Sequence, residues 1–168
     1  ESDLQSMASE LLGNFQTDQQ SRSEWAKSYV KGLDLLGLKI EERQQPWAGS
    51  SGVFHPILTE SIVRFQAQAM GEIYPASGPV RTKILGKMSV EKTEQALRVE
   101  NEMNYLLTEE MTEYRDETEQ MLFKLPLAGS AFKKVYYDPI MERPCAMFVP
   151  AEDFVVSYGA SDLMTCER

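Results

Sequence analysis

The chain has 168 residues, 42% of them hydrophobic and 26% charged, which suits one ordinary globular domain and excludes a disordered segment. No apolar run approaches the roughly 20 residues of a membrane-spanning helix, and the opening Glu1-Ser-Asp-Leu-Gln lacks the basic start and apolar core of a signal peptide. The net charge of −9 argues against a general nucleic-acid binder, whose affinity rests on Lys and Arg neutralising phosphates.

Leu4, Met7, Leu11 and Phe15 recur at helical spacing and predict a first short helix ending near Gly13-Asn14. Thr17 or Asp18 can cap a second helix, with Trp25, Tyr29, Leu33 and Leu36 as its apolar stripe before Gly37. Residues 41–52 read as a loop rich in Pro, Gly and Ser. The loop carries Trp47 and leads into Phe54, and flexible linkers do not usually hold tryptophan. Pro56 then suits the first turn of a helix, and Ile57, Leu58, Ile62, Phe65, Ala69 and Ile73 follow until Tyr74-Pro75 stops it.

Over residues 80–85, Val80, Thr82 and Ile84 alternate with Arg81 and Lys83, which predicts a short half-buried strand with a basic outer face. Ser89 can cap one long amphipathic helix. Its stripe steps by three or four from Ala96 through Met103, Leu107, Met111, Tyr114 and Met121 or Leu122 to Leu125. Unbroken, that helix spans on the order of 50 Å before Pro126 and Gly129 end it. Beyond it, residues 131–138 and 145–149 read as a hairpin, and residues 154–156 as a third strand of a small antiparallel meander. Helices first and strands last give an α+β class: a mainly helical segment 1–128, with the short strand near 80–85, and a β segment 129–168. The chain begins with Glu and stops at Cys166-Glu-Arg168 as another element starts, which reads as a segment of something longer.

A search for chemistry returns little. His55 is the only histidine and sits directly before Pro56, a position that suits structure better than catalysis. Cys145 and Cys166 lack metal-ligand spacing and read as two reduced thiols. Residues 49–52, Gly-Ser-Ser-Gly, lack the lysine and hydroxyl that complete a nucleotide-binding loop. Residues 87–120 hold ten acids against four bases, Glu109, Glu110, Glu113, Asp116, Glu117 and Glu119 among them. They read as a solvated helix face, or more sharply as an acidic surface toward a channel or a basic partner. Arg81, Lys83, Lys133 and Lys134 make at most a weak phosphate-contacting patch. No catalytic residue, cofactor or metal is expected.

Several phrases resemble one family. They are Trp47-Ala-Gly-Ser-Ser-Gly-Val-Phe-His-Pro56, Phe65-Gln-Ala-Gln-Ala-Met-Gly-Glu-Ile-Tyr-Pro75, Asn101-Glu-Met-Asn-Tyr-Leu-Leu107, residues 125–138, and Val149-Pro-Ala-Glu-Asp-Phe154 with the Gly159-Ala and Ser161-Asp-Leu163 that follow. In this order they resemble the wing region of tailed-bacteriophage portal proteins of the podovirus type. The resemblance implies a structural ring of about a dozen copies at one capsid vertex, found in the virion and, during assembly, in the host cytoplasm. Such a ring docks the terminase motor, meets capsid and tail adaptor proteins, and passes double-stranded DNA without sequence specificity. The family's stem helices, clip and tunnel loop lie downstream of this segment, so no DNA- or motor-contacting residue is carried over. Within the segment, Trp47, Phe54 and Phe65 are the expected contacts between neighbouring subunits. The alternative from another class is an acidic helical binding module or coiled-coil adaptor. The final β segment and the lack of regular charge at coiled-coil flanking positions weigh against it.

Overall fold

The computed structural model of the chain describes residues 2–37, 47–50, 55–164 and 166. The protein is α+β: the described residues form five α-helices through the first two-thirds and then a two-stranded antiparallel hairpin. It divides into two compact units, one of residues 1–60 with 150–168 and the other of residues 61–149.

In the first unit, α1 spans Ser2–Ser21 and α2 spans Ser23–Leu36. The expected stop at Gly13-Asn14 does not occur. A glycine inside a helix costs only about 1 kcal/mol relative to alanine, and helical residues on both sides outweigh it. The break falls instead at Arg22, so Asp18 is not a cap but lies inside α1, buried at 6% exposure. Gly37 closes α2 as expected, its amide donating to the Leu33 carbonyl at 2.8 Å. Residues 150–153 form a polar corner, with Asp153 N donating to the Pro150 carbonyl at 3.1 Å. Gly159, at φ 83°, makes the following turn.

Residues 154–156 are not a strand. The Ala151 and Phe154 carbonyls accept from Arg22, and the Tyr158 amide donates to Asp18, so side chains stand where ladder partners would be.

The helix α3 spans Ile57–Ile73, just after Pro56, and most of it belongs to the second unit. Its end at Tyr74-Pro75 leads into a tight turn closed by Gly78 N and the Pro75 carbonyl at 2.9 Å. Ser89 caps α4 (Val90–Tyr105), its side chain accepting from the Lys92 amide. The expected single long helix is interrupted. A π-helical turn, Leu106–Glu110, closes with Met111 N on the Leu106 carbonyl at 2.8 Å, and α5 starts afresh at Glu113–Ala128. Apolar spacing runs unbroken through this point, so periodicity alone cannot reveal the extra residue. Pro126 does not end α5, which continues two residues further to a left-handed Gly129 at φ 79°.

The hairpin consists of β1 (Phe132–Asp138) and β2 (Arg143–Val149), with Val135 opposite Ala146, and α5 packs against β2. The core of this unit is Ile62, Met111, Thr118, Leu122, Ala128, Cys145 and Ala146.

Candidate functional site

Trp47 is 68% exposed beside a turn in which Ser50 N donates to its carbonyl at 3.1 Å. Phe65 lies on α3 at 41% exposure, and Phe54 falls outside the described residues. Trp47 belongs to the first unit and Phe65 to the second. Both therefore offer aromatic surface, each on its own unit.

A second apolar surface is larger. Leu4, Met7, Leu11, Leu12 and Phe15 are all exposed on α1. The other end of α1 is fixed. Arg22 donates through Nη1 to the Phe154 carbonyl and through Nη2 to the Ala151 carbonyl, both at 2.6 Å. Its guanidinium lies 4.4 Å from the Trp25 ring centre, and Trp25 stacks on buried Tyr29 at 5.1 Å. Asp18 Oδ1 accepts the Tyr158 amide at 3.1 Å. The local sequence says little of Arg22 in this role. Its one signal was the Asp18, Arg22 and Trp25 spacing, which puts a carboxylate, a fork of donors and an aromatic ring on one helical side.

In the second unit the nearest thing to chemistry is a hydroxyl beside an amine. Thr118 Oγ1 donates to the Tyr114 carbonyl at 2.6 Å and accepts from Lys133 Nζ. The ammonium sits 4.0 Å from the Tyr114 ring centre, and the Tyr74 hydroxyl is 3.5 Å from Thr118. Burial pushes the Lys133 pKa down against the opposing pull of Glu117, and burial likewise pushes the Tyr74 phenol up. A threonine next to a lysine of lowered pKa is the composition of an activated nucleophile. Here Thr118 is only 2% exposed and its proton is already engaged, so the pair serves packing. Lys133 accordingly leaves the expected basic patch and turns inward.

The acidic helices do more than solvate. Glu100 and Asn104, four residues apart on α4, hold the extended segment 78–84. Asn104 Oδ1 accepts Val80 N at 2.9 Å, Asn104 Nδ2 donates to the Val80 carbonyl at 3.1 Å, and Glu100 Oε2 accepts Thr82 N at 2.9 Å. On α5, Glu117 reaches β2 in the same way. Glu117 accepts the Phe148 amide, and the Ala146 amide helps to hold the Glu113 carboxyl low. Four helical residues rise about 6 Å and two strand residues about 6.6 Å, so an i, i+4 pair of acceptors matches alternate strand amides. This explains why residues 80–85 alternate as a strand does, Arg81 and Lys83 outward and exposed, without being one. Their partner is a helix face.

Arg143 Nη1 donates to Glu113 Oε1 at 2.9 Å, and this bond is the main reason the Glu113 carboxyl stays below its usual range. A depressed carboxylate stabilises the fold above its unfolded pKa and loses that contribution as pH falls through the folded value. Glu113→Gln should therefore cost about 1–3 kcal/mol at pH 7. It should also flatten the decline of urea midpoints below about pH 4. An acid limb as steep as that of the unaltered protein would assign the decline to other carboxylates.

Between residues 82–88 and α4 runs a groove of about 430 Å³ whose floor includes Ile84, Met88, Ala96 and Leu97. Among the described residues no three metal-ligating side chains gather, and no helix is long and apolar enough to cross a membrane. No known family profile and no curated protein matches the chain.

Proposed function

We propose that the chain is the wing portion of a structural subunit in a ring-shaped phage portal at one capsid vertex. In this role about a dozen copies surround a channel for genome packaging and ejection. The ring also docks the terminase motor and the tail adaptors, and functions within the virion. The carrying observation is the apolar surface left open. Among the described residues, twenty-eight large apolar or aromatic side chains are exposed while eight apolar ones are buried. Scattered exposed leucines are ordinary, but a contiguous stripe such as that on α1 marks a surface meant for contact. Five phrases in portal order support the same reading, and a net charge of −9 suits a channel from which duplex DNA must slide free.

Negative-stain imaging of the intact protein tests the proposal. Rings with a central hole are expected, and a population of isolated monomers at micromolar concentration would count against it. Trp47→Ala offers a finer check. An exposed side chain should change stability by no more than about 0.5 kcal/mol. As an interface anchor its loss should weaken ring assembly by about 2 kcal/mol or roughly 30-fold. Unchanged rings in native mass spectrometry would remove Trp47 from the contact.

A further inference from the structure

We propose that the junction between α4 and α5 is a two-state hinge, bent as seen and able to close into one continuous helix that swings α4 and the segment held on it. Every residue concerned lies in the unit 61–149, and the hinge works whether or not the chain assembles as a ring.

Repeat and backbone disagree at this junction. At about 100° per residue, Glu100, Asn104, Leu107, Met111, Thr118 and Leu122 fall within roughly 60° of one another on a straight helix. The chain nevertheless breaks inside that stripe. Met111 stands at φ −90°, ψ 67°, outside the helical region, and Thr112 starts α5 without a side-chain cap. The turn before them is π-helical, a rare form that kinks helices and gathers at functional positions. Thr108 Oγ1 donates to the Asn104 carbonyl at 2.8 Å, a back-bond of the kind that bends helices. A sequence patterned for one helix that folds as two has a second arrangement within reach.

Closure leaves the packing intact. α4 contains no buried residue, and Val99, Met103 and Tyr105 on it are exposed. It carries the segment 78–84, fixed through Asn104, through Glu100 and by the Thr82 hydroxyl on the Ala96 carbonyl. Glu100 and Asn104 share the arc of Met111, Thr118 and Leu122, which lie in the core. A straight helix therefore keeps both covers on one side. Helix and segment swing as one arm, whose other joint is the exposed Ala76-Ser77 turn.

Charge biases the hinge toward the bend. Bent, α5 begins anew with Glu113 and Asp116 in its first turn, where unpaired amides favour carboxylates. Straight, that helix start is gone. The exposed Glu109 and Glu110 then stand four and three residues before Glu113, the spacing at which like charges repel.

Distances between spin labels on α4 and α5 test the hinge. The intact chain carries Gln95→Cys and Gln120→Cys, both exposed positions, with Cys145→Ala and Cys166→Ala. A continuous helix places these labels about 38 Å apart, at about 1.5 Å per residue. The bent junction gives a shorter distance, which Thr112→Pro isolates. The Thr112 φ of −56° already suits proline and Met111 before it is non-helical, whereas proline inside the straight helix clashes with the preceding turn. The expected result is a major short component and a minor one at the longer distance. Glu109→Gln with Glu110→Gln should raise the ratio of long to short about two- to fivefold. Thr112→Pro should abolish the long component. A single short distance in all of these proteins means a fixed bend and overturns the proposal. So does a long component that the glutamines leave unchanged or that the proline leaves in place.

Discussion

Replacing Arg22 with alanine should free residues 151–158 from the first unit and speed hydrogen exchange at the Tyr158 amide by about 30- to 700-fold. Arg22 makes two bonds of 2.6 Å from a charged donor to backbone carbonyls, and its cationic plane lies on Trp25. Bonds from a charged group contribute about 1.5–3 kcal/mol each. The Ala151 and Phe154 carbonyls can rehydrate once released, which lowers the net loss to about 2–4 kcal/mol. At about 1.4 kcal/mol per decade, that loss gives the stated acceleration. The Tyr158 amide is the reporter because its bond to Asp18 opens only when the segment lifts. Arg22→Lys sharpens the result. One ammonium cannot span both carbonyls, so about half of the protection should remain. Exchange at Tyr158 unchanged by Arg22→Ala would show that Asp18 alone retains the segment.

How far this was legible in the sequence depends on what kind of partner each residue has. Ser89 was legible as a cap and Gly129 as a stop, because their partners lie within a few residues and the local chain dictates them. The two hairpin strands were legible from their β-branched and aromatic content. Arg22 was not, because its acceptors lie more than 120 residues away, at Ala151 and Phe154. Nor was the break after Tyr105. Met103, Leu107, Met111 and Tyr114 keep helical spacing across it, and one inserted residue leaves no mark in a three-or-four repeat. The strand expected at residues 80–85 failed in an instructive way. Its alternation correctly reported one wet and one covered side, and periodicity cannot say whether the cover is a strand or a helix. Of the aromatic residues expected at a contact, Trp47 and Phe65 do present surface. The α1 stripe was visible as one face of a first short helix, but a pattern records amphipathicity and not whether the apolar side is covered.

The substitution of helix side chains for a strand partner yields the other large effect. Asn104 meets both backbone groups of Val80, and an alanine there leaves an amide and a carbonyl, both half-buried, without partners. Asn104→Ala should cost about 2–4 kcal/mol, or about one to two for each orphaned group after partial hydration. Gly78 shares this site. A Cβ built on Gly78 would come within 2.6 Å of Asn104 Oδ1 and 2.7 Å of its Cγ, and the residue stands at φ +94°. Gly78→Ala therefore carries about 1–2 kcal/mol of left-handed backbone strain and a further 1–3 kcal/mol or so of overpacking. The strain belongs to the turn and persists in any background, whereas the overpacking exists only while the Asn104 amide is present. In the double variant the clash vanishes, so its cost should fall short of the sum of the single costs by about 1–3 kcal/mol. Chemical denaturation of the four proteins in the cycle measures that difference. Additivity within about 0.5 kcal/mol would mean that Gly78 and Asn104 do not share the site, and that the segment 78–84 rests on α4 through Thr82 alone.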